Sequence, residues 1–291
     1  MNNGGSNPAV RIARIVVESF KLGLPDVRWF VMGDDDTVFF ADNLVLVLSK
    51  YDHRQMYYFG GSSESVEQDV MHSYGTAFGG GVFARDVRGD AYGLLAAHPM
   101  TPLVSLHHLD YIKPLLPNLT NYESLNTLIQ TYRLDPPRAM QQSFCYYKTW
   151  WHSWSISVSW GYTVQIYPSL LTAQELEIPL QTFLTWMSFK DGPFTFNTRP
   201  LLTKPCELPA IYYISHVQEA GNDTITTYTR DKPVRICKKR DYPHTIKTVV
   251  VSASKMNPNY WIEIKADLVR RCSYSLNSDL RSSAPARSDE T

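Results

Sequence analysis

Three consecutive carboxylates, Asp34, Asp35 and Asp36, follow Gly33 and an apolar run at residues 27–32. The run has the composition of a buried strand, and open α/β sheets bind ligands in the crevice at the carboxyl ends of their strands. Mg²⁺ and Mn²⁺ prefer carboxylate oxygens and leave their remaining positions to water and phosphate. Because alternate side chains of extended backbone point to the same side, we expect Asp34 and Asp36 to share one such ion.

The alternative for this triplet is an acidic turn at a strand end, where aspartate is common. Three adjacent carboxylates repel one another unless a cation lies between them. This repulsion favours a metal site, with Mn²⁺ or Mg²⁺ as the cofactor. An EF-hand calcium loop is excluded, because a loop counted from Asp34 has neither Gly at its sixth position nor Glu at its twelfth.

The elements that must position the triplet form an α/β front, for which we predict a partial domain over residues 1–99. Residues 8–22 and 41–51 have the apolar spacing of helices, and the strand at residues 27–32 lies between them. The apolar residues expected to pack the second helix are Leu44, Val47 and Leu48. The triplet therefore falls between a predicted strand and a predicted helix.

The rear of the chain, residues 100–275, is predicted to be rich in β-strands. Residues 154–166 alternate with a period of two across Gly161, which indicates a strand pair or one bent strand. A further strand is predicted over residues 245–252. Residues 276–291 are rich in Ser, Arg and acidic residues and are predicted to be a disordered tail.

The composition is that of a globular chain with balanced charge. Lys and Arg total 28, as do Asp and Glu, so no excess of positive charge attracts nucleic acid or an anionic membrane surface. The hydrophobic fraction of 44% is sufficient for a core. Residues 1–6 are polar and no apolar run reaches the length of about 18 residues that a membrane span needs, so neither a signal peptide nor an anchor is predicted within this chain.

The chain contains four cysteines: Cys145, Cys206, Cys237 and Cys272. They are widely spaced and form no Cys-x-x-Cys pair, which argues against a zinc site. Three disulfide pairings are open, as are free thiols. In an oxidising compartment we favour Cys206 with Cys237, which flank a candidate hairpin. Two glycosylation sequons, at residues 118–120 and 222–224, are compatible with a luminal location.

Several stretches resemble the fringe-like β-1,3-glycosyltransferases of glycosyltransferase family 31. Residues 29–39 resemble the metal motif of that family, and residues 57–62 and 77–84 resemble its next strand and its glycine-rich acceptor-side loop. Segments from residue 92 onward are similar to the plant fringe-related branch, which carries a domain-of-unknown-function label. Those segments are Tyr92-Gly93-Leu94-Leu95, His107-His108-Leu109-Asp110 and Phe196-Asn197-Thr198-Arg199-Pro200.

The resemblance implies an α/β chain with a partial, Rossmann-like GT-A glycosyltransferase fold and a β-rich C-terminal region. It implies an inverting enzyme that transfers a hexose from a UDP-sugar donor to a hydroxyl of a glycan or glycoconjugate acceptor. In such an enzyme a metal neutralises the UDP leaving group and a carboxylate deprotonates the acceptor. The expected location is the Golgi, reached through a membrane anchor that is absent from this chain.

The resemblance also assigns site residues. Asp34 and Asp36 are expected to bind the metal, and Asp34 and Asp35 are expected to bind the donor, where Asp35 meets a sugar hydroxyl or forms a supporting bond. The acceptor-side loop is assigned to three glycines: Gly79, Gly80 and Gly81.

A histidine is the third metal ligand that the resemblance implies. Residues 105–110 resemble a stretch of the core-1 galactosyltransferase relatives in which a histidine completes the metal shell. His107 takes that position, and a neutral imidazole is a suitable Mn²⁺ ligand beside carboxylates. The adjacent His108 stays an alternative, and Asp110 is expected to orient the ring.

Two departures from the family pattern concern the catalytic half. Only one amphipathic segment, residues 8–22, precedes the metal strand, where the family has further strands. Residues 83–84 run directly into residues 85–90, which resemble sequence from well downstream in the family. We therefore expect an N-terminally truncated chain with an internal deletion, in which the catalytic base is unknown and transfer is weak or absent.

Two other functions stay open. A non-catalytic carbohydrate-binding or scaffold role fits the departures, since both fall on the catalytic half. An Asp-nucleophile phosphatase fits the spacing of Asp34, Asp36 and Val38, although no convincing partner lysine and acidic pair follow. Four tryptophans are expected either to form an aromatic β-core or to border a sugar site: Trp150, Trp151, Trp154 and Trp160.

Overall fold

The structure is a computed structural model. It describes residues 8–33, 35–57, 59, 88–97, 102–107, 109–184, 197–231, 237, 243, 245–261 and 273–278. Among the predicted features, Asp34, His108, the three glycines at residues 79–81 and the tail beyond residue 278 lie outside these ranges.

The described residues form short helices and mostly antiparallel strands. The helices are α1 (Pro8–Lys21), α2 (Ala41–Leu48), α3 (Tyr92–Leu95), α4 (Asn121–Leu134) and α5 (Ala173–Leu176), with 3₁₀ turns at Leu109–Tyr111, Pro136–Arg138 and Pro258–Trp261. The first strands are β1 (Val38–Phe39), β2 (Arg88–Gly89), β3 (Ser105–Leu106), β4 (Gln142–Lys148), β5 (Ser153–Ser159) and β6 (Thr163–Tyr167). The remaining strands are β7 (Phe183–Leu184), β8 (Ala210–Ala220), β9 (Asp223–Arg230), β10 (Ile246–Ser254) and β11 (Ser273–Ser278).

A seven-stranded sheet with the order β11-β10-β9-β8-β6-β5-β4 dominates the rear of the chain. Neighbouring strands are antiparallel, and β5 pairs with β6 so that Ile156 faces Ile166 and Val158 faces Val164. These four side chains are buried. The strand pair predicted over residues 154–166 and the strand predicted over residues 245–252 are therefore confirmed.

Gly161 makes the turn between β5 and β6. Its φ of +75° lies in the left-handed region, which glycine adopts without the steric cost of a Cβ. A Cβ at this position would lie 2.7 Å from Thr131 Cγ2 of α4. The amide of Gly161 donates a hydrogen bond of 2.9 Å to the buried hydroxyl of Tyr228. Close packing against α4 thus fixes glycine at the turn.

The core extends from this sheet to α4 and to Phe40 of the front. Thr120 and Glu123 form a capping box that begins α4, and Leu128 and Tyr132 of that helix lie in the same buried cluster as the sheet residues. Phe40, directly after β1, belongs to this cluster too. One hydrophobic core therefore connects the sheet with the segment that follows the aspartate triplet.

The front differs from the prediction at residues 27–32, which do not form a strand. Phe30 is 46% exposed, and Val27, Val31 and Met32 are exposed as well. Residues 27–32 form no strand ladder with any other described residue, and a strand without a ladder partner would leave its backbone groups unpaired. The prediction of a buried strand at these residues was therefore wrong.

The two predicted helices of the front are present, with less packing than expected. In α1, Phe20 is 73% exposed. In α2, which ends at Leu48, the one fully buried side chain is the polar Asn43, whereas the three expected apolar residues are only partly buried. The strand pairs within the described sheets are antiparallel, so the parallel sheet of a Rossmann-like GT-A half stays a prediction.

Candidate functional site

Two of the three predicted metal ligands lie side by side. Asp36 precedes β1 by two residues and His107 directly follows β3. The Oδ1 atom of Asp36 lies 2.9 Å from Nε2 of His107, and the two side chains are 27% and 16% exposed. Residues from distant parts of the sequence thus meet in one partly buried site.

The pairing of β1 with β3 explains this proximity. The strands are antiparallel, with Val38 opposite Leu106 and Phe39 opposite Ser105. In such a ladder the residues before one strand lie beside the residues after the other. Continued by one pair, this register places His107 opposite Thr37, the residue next to Asp36, so a ladder of two pairs brings the two segments together.

The donor set suits a divalent cation of the Mn²⁺ or Mg²⁺ type. A carboxylate oxygen and an imidazole nitrogen are both ligands that Mn²⁺ accepts, and such ions take few protein ligands. The alternative is a direct hydrogen bond or ion pair between the two side chains, which the same distance permits. Within the described residues, no group of three or more His, Cys, Asp and Glu side chains forms a metal site. The third expected ligand, Asp34, lies outside those residues.

The aspartate segment is held to the core by contacts directly after β1. The amide of Phe40 donates to the carbonyl of Val104 at 2.9 Å, and the rings of Phe40 and Tyr132 pack in a T-shaped arrangement with their centroids 4.9 Å apart. The hydroxyl of Tyr132 donates to Oδ2 of Asp42 at 3.0 Å and accepts the amide of Asp42 at 3.1 Å. These bonds connect the beginning of α2 with the middle of the core.

Tyr132 stays protonated at physiological pH. Burial of its hydroxyl is the larger cause, and the bond to the carboxylate of Asp42 adds to it, so that its pKa rises to about 12. A protonated hydroxyl is required, because only the O–H form donates to Asp42. The contact between α4 and α2 is therefore insensitive to pH over the physiological range.

The other residues singled out from the sequence are exposed, make contacts elsewhere or lie outside the described residues. Asp35 is exposed, and Asp110 is exposed in the 3₁₀ turn that follows β3. Asp90, the last residue of the segment at 85–90 that resembles downstream family sequence, accepts the amide of Tyr92 at 3.0 Å and so supports the beginning of α3. No base for acceptor activation is assigned to any of them.

Sequence reasoning missed Asn43, a buried polar side chain seven residues after Asp36. Its Nδ2 donates to the carbonyls of Leu103 and Pro136, each at 3.0 Å. A signal was present, since Asn43 is a lone amide in front of five consecutive apolar residues, 44–48. Such a residue within an apolar helix indicates either a solvent face or a buried hydrogen-bonded position.

The tryptophan cluster divides into core and surface. Trp154 and Trp160 are buried in the sheet, as the aromatic-core alternative expects. Trp150 is 98% exposed and Trp151 is also exposed, at the turn between β4 and β5. Thr149 fixes that turn by accepting the amide of His152 at 3.0 Å. Two aromatic side chains are thus held out into solvent by an ordered hairpin.

The three cysteines among the described residues are disulfide-bonded. Cys206 and Cys237 form the disulfide favoured from the sequence, and Cys145 is disulfide-bonded too. Both sequon asparagines, Asn118 and Asn222, are exposed. None of the helices in the described ranges has the length and apolar character that crossing a bilayer requires.

Comparison with known proteins matches the chain to two families. Residues 9–85 match the family described as fringe-like, and residues 81–272 match the family described as "Protein of unknown function, DUF604". A search of curated proteins gave no significant match. The fringe-like match includes Asp36, and the second match includes His107, so the site lies across both matched regions. The second match covers most of the chain, which therefore belongs to the DUF604 family and carries a fringe-like, glycosyltransferase-type N-terminal region.

Proposed function

We propose that this chain is a metal-dependent glycosyltransferase of the fringe-like type, with a UDP-sugar as donor and a glycan or glycoconjugate hydroxyl as acceptor. The observation that carries the proposal is the distance of 2.9 Å between Asp36 Oδ1 and His107 Nε2. Two expected ligands that lie far apart in the sequence would not meet in this way in an acidic surface turn. The fringe-like match of the N-terminal region supports the same class of enzyme and a Golgi location.

In this proposal Asp36 and His107 hold Mn²⁺ or Mg²⁺ together with Asp34. The cation supplies the positive charge that stabilises the diphosphate leaving group. Asp36 and His107 are partly buried, which strengthens their electrostatic interaction with a bound ion. Asp35 is exposed beside them and is proposed to bind a hydroxyl of the donor sugar.

The inverting, β-1,3-type chemistry implied by the resemblance is part of the proposal, as is an acceptor-side role for Gly79, Gly80 and Gly81. A carboxylate base would have to deprotonate the acceptor hydroxyl, and such assistance is typically worth about 10²–10⁴-fold in rate. Since no base is assigned in this chain, we propose that its transfer activity is weak, or absent, relative to a fringe-like enzyme with that group in place.

Titration of Mn²⁺ by calorimetry tests the metal site. Wild type should bind the ion, and Asp36→Ala and His107→Ala should each weaken binding at least about tenfold, because each removes a direct ligand. Asp52→Ala is the matched control, since it removes a carboxylate of the same half of the chain that bonds Arg54 instead. Equal heats in wild type and Asp36→Ala would refute the site, and UDP release with a panel of UDP-sugars then tests turnover.

A non-catalytic carbohydrate-binding role is the second candidate, and the exposed Trp150 and Trp151 favour it. Flat aromatic faces stack on the apolar faces of sugar rings, and most of the surface of both tryptophans is open to solvent. Binding of neutral oligosaccharides without metal, lost in Trp150→Ala and retained in Asp36→Ala, would favour this role over catalysis. Binding that needs both Mn²⁺ and Asp36 would favour the enzyme.

A further inference from the structure

The ladder that brings the site together is too short to hold it alone. Each of the strands β1 and β3 has two residues. Isolated strand pairs of this size are not stable in water, whereas a working site needs its groups fixed to within about 0.5 Å. Some other contact must therefore hold the His107 segment against the Asp36 segment.

Asn43 makes such a contact. It lies in the first turn of α2 and is 1% exposed. Its Nδ2 donates one hydrogen bond to the carbonyl of Leu103 and one to the carbonyl of Pro136, each at 3.0 Å. Leu103 lies four residues before His107, and Pro136 begins the turn after α4. A single amide thus ties together the helix after Asp36, the segment before β3 and the turn after α4.

The chemistry of this position requires two donors on one atom. An amide NH₂ group supplies them, and two facing carbonyl oxygens fix its orientation, because a rotated amide would place oxygen against oxygen. The Oδ1 atom of Asn43 is buried and accepts no hydrogen bond from the described residues, which costs stability. An apolar side chain would avoid that cost but would take both donors away from the carbonyls of Leu103 and Pro136, so the role of the amide is to hold these two segments to α2.

We infer that Asn43 is a positioning residue of the metal site. It touches neither Asp36 nor His107, and it acts by holding residues 103–107 at a fixed distance from the beginning of α2. The Phe40 amide donates to the Val104 carbonyl at 2.9 Å, across the same interface between the segment after β1 and the segment before β3. Hydrogen exchange of this amide therefore measures how firmly the interface is held. The inference rests on the proposed function for its consequence in metal binding, but the positioning itself is a property of the fold.

The test compares Asn43→Leu with Gln142→Leu. Gln142 is a matched control, because it too is a buried amide whose Nε2 donates two bonds, to Ser157 Oγ and to the Leu176 carbonyl, each at 2.9 Å. It lies in β4, within the large sheet. Both substitutions remove two buried hydrogen bonds, and only one of them lies at the interface that holds the site. Asn43→Ser, which keeps one donor, replaces the leucine variant if that variant does not fold.

Two readouts separate positioning from general stability. The first is hydrogen exchange at the Phe40 amide, which should be at least about tenfold faster in Asn43→Leu than in Gln142→Leu when both are compared at equal global stability. The second is the Mn²⁺ dissociation constant, which should rise about tenfold or more in Asn43→Leu and stay at the wild-type value in Gln142→Leu.

The outcomes distinguish the two ideas. Equal exchange at Phe40 in the two variants would overturn the inference, whether or not metal binds. Faster exchange with an unchanged Mn²⁺ dissociation constant would overturn it too, because the site would then tolerate the loosened interface. A wild-type chain that binds no Mn²⁺ would refute the proposed function, while the exchange comparison would still decide whether Asn43 holds the interface.

Discussion

The front of the chain and the seven-stranded sheet differ in how their apolar residues are used. In the sheet, Ile156, Val164 and Ile166 are completely buried. In the front, Phe20, Phe30 and Val45 are all exposed, although the local sequence is as apolar as that of a strand or a buried helix. Burial of an apolar side chain contributes about 1.5–3 kcal/mol, so the sheet supplies stability that the front does not.

The predicted chemistry, in contrast, depends on the front. Asp36 lies two residues before β1, and its neighbour His107 is attached through β3 to the sheet-bearing part of the chain. The site therefore lies at the boundary of the two regions, where Phe40, Asp42 and Asn43 make the connecting contacts. The candidate site therefore needs a stable sheet, and the contacts of Phe40, Asp42 and Asn43 set the distance between the Asp36 and His107 segments.

The largest expected effect breaks the sheet and leaves the front unchanged. Ile156→Ala removes a fully buried side chain of β5 and should lower the free energy of unfolding by about 2–5 kcal/mol, because a cavity remains. Ile15→Ala is the matched control in α1, where Ile15 is exposed, and should change it by no more than about 0.5 kcal/mol. Urea denaturation measures both. A cost of similar size for the two variants would show that another surface covers α1.

The sequence predicted the sheet well because alternation is a local signal. The apolar period of two from Trp154 to Ile166 can be recognised without knowledge of the neighbouring strands, and this segment forms β5 and β6. Residues 27–32 carried an equally apolar signal and formed no strand, because a strand needs a partner and its own sequence does not say whether one is present. Pairing, unlike periodicity, is not encoded in one segment.

The sequence suggested which residues could form the candidate site, but not the contacts that support them. Asp36 and His107 were identified by their chemistry and their resemblance to known motifs, and the ladder of β1 and β3 brings them together. The roles of Asn43 and Tyr132 depend on contacts across 60 to 93 positions, which no local pattern shows. Asn43 in an apolar helix gave a hint only of an unusual position, without naming its partners.

A smaller expected effect concerns the pH dependence of stability, for which each of the two regions contains one aspartate–arginine pair. Asp135, directly after α4, accepts a hydrogen bond from Arg138 Nε at 3.0 Å and one from the amide of Met256 at 3.1 Å. Its side chain is 1% exposed. Burial raises its pKa above the ordinary value of 3.8, although Arg138 opposes the change. Asp52, in the front, bonds Arg54 at 3.0 Å, and those bonds lower its pKa. The same pair of residue types thus has opposite pKa changes in the two regions.

Opposite changes in pKa predict opposite pH dependence. Because the folded pKa of Asp135 is raised, its contribution to stability is complete below the ordinary value and is lost as the pH rises through the folded pKa. The loss is about 1.4 kcal/mol for each pH unit that separates the folded pKa from the unfolded pKa. The stability of wild type relative to Asp135→Asn should therefore fall as the pH increases across that window.

The folded pKa of Asp52 is lowered, so the stability of wild type relative to Asp52→Asn should rise with pH, by a smaller amount because that pair is open to solvent. Urea denaturation of the three proteins from about pH 3 to pH 7 measures both differences. If the stability difference from wild type had the same dependence on pH for both variants, the carboxylate of Asp135 would be solvated like that of Asp52. The C-terminal end of α4 would then be as open to water as the front.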